Sequence, residues 1–72
     1  MATVTKDMRI GELLLVDEIM APILMRVGMH CLGCPSSQME TLEEACAVHG
    51  INPDELVTNI NEILAAKAAD AQ

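Results

Sequence analysis

The chain has 72 residues, 51% of them apolar and none aromatic, with eleven acids against four bases and a net charge of −7. That length allows one domain and no more, and folding at this size buries only about 60% of the unfolded surface. The acidic balance excludes nucleic acid as a ligand, because such binding rests on Lys and Arg neutralising phosphates, and it excludes an anionic membrane surface for the same reason.

Without Phe, Tyr or Trp, the core must be built from Leu, Ile, Val, Met and Ala, a palette that suits helices better than a sheet. No apolar run approaches the roughly 20 residues that span a bilayer. No basic segment followed by an apolar core marks the N-terminus as an export signal. The expectation is a cytoplasmic, all-α, compact bundle of about five short helices. It forms a single domain over residues 1–72, with an ordered core at about 8–66 and a C-terminal tail that frays.

Residues 1–8 lead in, with Thr3-Val4-Thr5 briefly extended and Asp7 placed to cap the first helix. That short helix is expected from Arg9, carrying Ile10, Leu13 and Leu14 on one face and Glu12 on another. Gly11 weakens it by roughly 1 kcal/mol relative to Ala. Asp17 or Glu18 opens a second helix, in which Ile19, Met20, Ile23, Leu24 and Val27 recur at the spacing of a buried stripe. Pro22 conflicts with a start at Asp17, because the free N–H groups of a helix end with its first turn and a later proline loses a hydrogen bond. The regular helix is therefore expected to start near Met20, or to kink there. Gly28 suits the left-handed residue that ends it, and Arg26 complements its negative pole.

Gly28-Met29-His30-Cys31-Leu32-Gly33-Cys34-Pro35 is the tightest turn in the chain, and it is expected to join the second helix to the third. Pro35 marks a new helix start, since proline at the first helical position gives up an N–H that would be unpaired anyway. This third helix should end near Glu40. Thr41-Leu42-Glu43-Glu44 then forms a capping box for a helix carrying Leu42, Ala45, Cys46 and His49 on one face and terminating at Gly50. Asn52-Pro53-Asp54-Glu55 repeats the pattern of cap, proline and acidic first turn. The last helix has a continuous stripe of Leu56, Val57, Ile60, Ile63 and Leu64 opposite Glu55, Thr58, Asn59 and Glu62. Beyond Leu64 the alanine-rich end has little to bury.

The three cysteines carry the chemistry. An odd number argues against a secreted disulfide framework, and in a reducing compartment closely spaced cysteines more often mean redox or metal chemistry. Cys31-x-x-Cys34 suits a reversible disulfide, because a turn brings residues three apart within the roughly 4.4–6.8 Å that the bond needs between Cα atoms. So short a ring stabilises the fold by only about 2 kcal/mol before strain, which favours a functional bond over a staple. With Pro35 in the first turn, Cys34 sits at the cap, where unpaired N–H groups lower a thiol pKa. His30, when protonated, adds to that effect at Cys31, while the acidic surroundings oppose it. In thioredoxin-like proteins the first cysteine of such a pair attacks, which would make Cys31 the nucleophile, although those motifs follow a strand in an α/β fold.

The second reading is a metal site. Cys31-x2-Cys34-x11-Cys46-x2-His49 has the ligand types and paired spacing of a Cys3His zinc centre, and cysteine-rich spacings also hold iron–sulfur clusters. Periodicity alone makes Cys46 a small core residue beside Leu42 and Ala45, and His49 a partner for the negative helix end. Spacing ranks the redox pair first, metal second and inert cysteines third. Met25 and Met29 flank the turn as core fillers, whereas an exposed Met29 would mark a soft docking surface.

The blocks Gly28-Met29-His30-Cys31-Leu32-Gly33-Cys34-Pro35, Glu40-Thr41-Leu42-Glu43-Glu44-Ala45, His49-Gly50-Ile51 and Pro53-Asp54-Glu55-Leu56 resemble, in order and spacing, a family of small bacterial and archaeal domains. These are the hybrid-cluster-protein-associated redox disulfide domains, and the resemblance runs from about Ile10 to Leu64. It implies an all-α cytoplasmic domain, a redox role for the positions of Cys31 and Cys34, and a partner that is a redox or iron–sulfur protein. Cys46 is not part of that signature.

The leading functional expectation is thus a thiol–disulfide redox module using Cys31 and Cys34, with His30 beside them and no cofactor. The runner-up is a zinc or iron–sulfur module using Cys31, Cys34 and Cys46 with His49 or His30, or a homodimer pooling two cysteine pairs. The third is a docking domain without chemistry. No Ser–His–Asp pattern, phosphate-cradling glycine loop or dinucleotide fingerprint points to an independent metabolic enzyme.

Overall fold

Five helices follow one another in a computed structural model that describes residues 3–29 and 32–70: α1 (Ile10–Val16), α2 (Met20–Arg26), α3 (Pro35–Gln38), α4 (Leu42–His49) and α5 (Pro53–Asp70). Among the described residues there is no strand, only an isolated antiparallel bridge between Arg9 and Thr41. The all-α expectation holds. Each helix start has a local cause. The Glu12 carboxylate accepts the Arg9 N–H at 3.0 Å to open α1, so Arg9 takes the N-cap position that Asp7 had been expected to fill. Asp17 Oδ1 accepts the Ile19 N–H at 3.0 Å ahead of α2, and the helix begins at Met20, as Pro22 requires.

Thr41 and Glu44 form the expected capping box: Glu44 N–H donates to Thr41 Oγ1 at 3.2 Å and Thr41 N–H to Glu44 Oε1 at 3.0 Å. Hydrogen bonding to the Thr41 N–H and then to its hydroxyl holds the Glu44 carboxyl below the ordinary range. Asn52 Oδ1 accepts the N–H groups of Asp54 and Glu55 at 2.9 and 3.2 Å to start α5.

The core is aliphatic throughout. Ile10 and Leu13 of α1, Met20 and Leu24 of α2, Leu42, Ala45 and Cys46 of α4, and Leu56, Ile60 and Leu64 of α5 are buried, with no polar residue buried among the described ones. The apolar stripes read from periodicity therefore face inward, with one exception. Ile63 is exposed and lines an open groove of about 450 Å³ with Ile19, Ile23 and Val27.

The lead-in segment adds to the core from outside the helix pattern. Val4 is buried because Asn61 clamps its backbone from both sides, accepting its N–H at 2.7 Å and donating to its carbonyl at 3.1 Å. Met8 and Lys6 carbonyls accept the N–H groups of Leu42 and Glu43 at 2.8 and 3.0 Å, and Glu40 accepts from Ile10 at 2.8 Å. The lead-in segment is thereby tied to the start of α4. Beyond Leu64, α5 continues to Asp70, and Lys67 Nζ donates to Asp17 Oδ1 at 2.6 Å.

Candidate functional site

The turn between α2 and α3 is held at both ends. On the α2 side, Gly28 adopts φ +103°, its N–H donates to Met25 O at 3.1 Å, and the Met29 N–H donates to Leu24 O at 3.1 Å. This is the paired closure of a helix through a left-handed glycine. The hydrophobic contact that accompanies such closures is supplied by Met29, which is only 4% exposed and packs in the same core cluster as Leu24. Met29 is thus a core residue rather than a docking surface; Met25 is the exposed methionine of the pair.

On the α3 side, Cys34 is the N-cap residue in extended conformation, with Pro35 at the first helical position, as the Cys-Pro pattern implies. Cys34 is exposed and carries a free thiol. Its Sγ lies 3.2 Å from the Ser36 hydroxyl. That hydroxyl, followed by the backbone N–H groups of Ser37 and Ser36, stabilises the thiolate and lowers the Cys34 pKa below its ordinary value. The backbone contribution is the one the helix start predicts. The largest single one, from the Ser36 hydroxyl, is not, although a hydroxyl two residues past a cap is the sequence signal that announces it.

Gln38, the last residue of α3, closes the turn. Its backbone N–H donates to Cys34 O at 3.1 Å, and its side-chain Nε2 donates to Leu32 O at 2.6 Å. Gln38 can sit there because α1 presents a glycine to it. A Cβ on Gly11 would stand 3.3 Å from the Gln38 carbonyl oxygen and 3.4 Å from its Cβ. Gly11, which weakens α1 on propensity alone, is the residue that lets α3 approach. Beside the turn lies an open groove of about 240 Å³, with buried Ile10, Met29 and Ala45 at its base and Leu32, Ser37, Glu40 and His49 around it.

Of the expected site residues, His30 and Cys31 lie outside the described residues. Cys46 and His49, the other half of the expected ligand set, part company: Cys46 is 0% exposed in the core, while His49, one turn on, is exposed and lines the groove. Burial pushes the Cys46 thiol up, which opposes the thiolate a metal needs. No group of three His, Cys, Asp or Glu side chains among the described residues is arranged to hold an ion. Cys46 thus occupies a core position.

The family model for a domain of unknown function, DUF1858, matches residues 4–57, and the chain belongs to that family. The NMR solution structure of a protein from Clostridium thermocellum, a structural-genomics target, is similar to it at 51% identity, with a TM-score of 0.79 over 94% of this chain and 97% of that one. No curated protein matches the chain. No helix among the described residues is long and apolar enough to cross a membrane.

Proposed function

We propose that this DUF1858 domain is a thiol–disulfide redox module in which Cys31 and Cys34 cycle between dithiol and disulfide. The observation that carries the reading is Cys34 itself: an exposed free thiol at a helix cap, hydrogen-bonded to Ser36 and shifted toward the thiolate. Those are the features of a reactive rather than a structural cysteine. Cys34, in place of the Cys31 expected by analogy with thioredoxin-like proteins, is proposed as the nucleophile because its sulfur carries the stabilising hydrogen bonds. Its thiolate attacks one sulfur of a partner disulfide, forming a mixed disulfide and releasing the first partner sulfur, which takes a proton. The Cys31 thiolate then attacks Cys34 Sγ, closing the 31–34 bond and releasing the second partner thiol. Two electrons and two protons pass to the partner, and the reverse sequence reduces the module. His30 is proposed to assist deprotonation of Cys31.

The partner is proposed to be a cytoplasmic redox or iron–sulfur protein, a reading supported by resemblance to the hybrid-cluster-protein-associated redox disulfide domains. The burial and raised pKa of Cys46 favour a two-cysteine reaction over a four-ligand metal centre. Equilibration in glutathione buffers followed by acid quench, alkylation and mass measurement tests the proposal. Loss of two alkylation sites at Cys31 and Cys34, with Cys46 still alkylated after unfolding, is the expected result. A chain that keeps all three thiols across the range of cellular potentials overturns it.

A further inference from the structure

The turn carrying the proposed redox pair is held by one side chain more than its own backbone supplies. Leu32 and Gly33 are the two residues between Cys31 and Cys34, and the Leu32 carbonyl accepts from Gln38 Nε2 at 2.6 Å. The same residue's backbone N–H holds the Cys34 carbonyl at 3.1 Å, so both sides of Gly33 are anchored to Gln38. Gln38 is in turn fixed against α1, where the absence of a side chain on Gly11 admits its backbone. Upstream, the Met29 N–H is anchored on Leu24 O and its side chain is buried. This arrangement exists while Cys34 is a free thiol. The Leu32 and Cys34 backbone is therefore already held in the thiol form, and less conformational entropy remains to be lost there when the bond forms.

We propose that Gln38 is a positioning residue for the Cys31–Cys34 pair, its carboxamide holding the Leu32 carbonyl so that the turn is set for ring closure. The inference rests on the redox reading above and adds the residue that sets the equilibrium. The reaction measured is the oxidation of the two thiols by glutathione disulfide, which forms one Cys31–Cys34 bond and releases two molecules of glutathione.

Its equilibrium constant is compared for the wild-type chain, Gln38→Met and Gln38→Ala. Met keeps the length of the side chain and loses only the donor. The constant is expected to fall about three- to tenfold in Gln38→Met, the range that one neutral hydrogen bond carries. The fall in Gln38→Ala should be at least as large, with the urea midpoint of reduced Gln38→Met close to that of the wild type. A Gln38→Met constant equal to wild type overturns the inference while leaving the redox reading standing. A wild-type chain that never forms the bond overturns both. Should the variants fail to fold, the wild type supplies the answer by NMR: one Gln38 carboxamide proton is expected to be shifted downfield and slow to exchange, and two freely exchanging protons overturn the inference.

Discussion

The glycines of the turn provide the sharpest test of its geometry, because substitution to alanine separates backbone conformation from steric contact. An added Cβ at Gly28, Gly33 or Gly50 meets nothing within 4 Å, so space does not distinguish the three. Conformation does: Gly28 has φ +103° and Gly50 φ +69°, and Gly33 is not in the positive region. An L residue in left-handed backbone costs about 1–2 kcal/mol. Gly50 lies near the centre of the left-handed region and belongs at the lower end of that range; Gly28 lies well outside the centre and belongs at the upper end.

Gly33→Ala should change stability by no more than about 0.5 kcal/mol, with a small gain from the stiffer unfolded chain. For a domain of this size each kcal/mol moves Tm by about 4–8 °C, so Gly28→Ala is expected to lower it by about 8–16 °C, Gly50→Ala by about half as much, and Gly33→Ala hardly at all. Urea titration of the three reduced variants at a common slope gives the order directly. Equal losses at Gly28 and Gly33 would refute the reasoning, since the closure of α2 through a left-handed residue would then not be what aims the turn.

Iodoacetamide should modify Cys34 in the native chain and leave Cys46 untouched until urea unfolds it, while Ser36→Ala should move the pH midpoint of Cys34 alkylation upward; an unchanged midpoint would remove Ser36 from the account. Met29→Ala should cost about 2–5 kcal/mol as a large-to-small core change, and a loss below about 1 kcal/mol would mean that Met29 is not packed as described. The Lys67 hydrogen bond, with help from the Ile19 N–H, lowers the Asp17 pKa, and the same pair raises that of Lys67. The contribution of Asp17 to holding the end of α5 is thus present above the ordinary carboxylate pKa and lost as pH falls through the lower folded value. That of Lys67 is present below its ordinary pKa and lost as pH rises through the higher folded one. Protection of the amides of residues 65–70, taken relative to the intrinsic exchange rate at each pH, should accordingly be greatest between those limits and should fall in Lys67→Met; protection indifferent to both would show that the alanine-rich end frays regardless.

Much of this fold was legible because its signals are local. Thr41 with Glu44, Asn52 before Pro53, and Cys34 before Pro35 each announce a helix start within four residues, and the conflict raised by Pro22 correctly moved the start of α2 to Met20. What could not be read depends on neighbours far along the chain. Asn61 sits beside the apolar stripe of α5 like any solvated amide, yet its partner is the backbone of Val4, 57 residues away. Gly11 looks like a helix weakness until α3 is placed against it. Ile63 fits the stripe by spacing but faces a groove that only the packing of α2 beside α5 creates.

The candidate site divides in the same way. Cys34 at a cap follows from Cys-Pro, whereas the hydroxyl of Ser36 and the carboxamide of Gln38 acquire roles only once the turn has a path. Cys46 was ambiguous in principle, because a small core residue and a thiolate ligand have the same spacing on α4. Burial separates the two, and burial is a property of the whole fold.

The central claim is that two of the three sulfurs form a pair and the third does not, and cysteine Cβ chemical shifts under reducing and oxidising conditions test it most directly. On oxidation the Cys31 and Cys34 Cβ resonances should both move to the disulfide range while that of Cys46 stays at its thiol value. Shifts that remain in the thiol range for all three, or a disulfide shift at Cys46, would contradict the account.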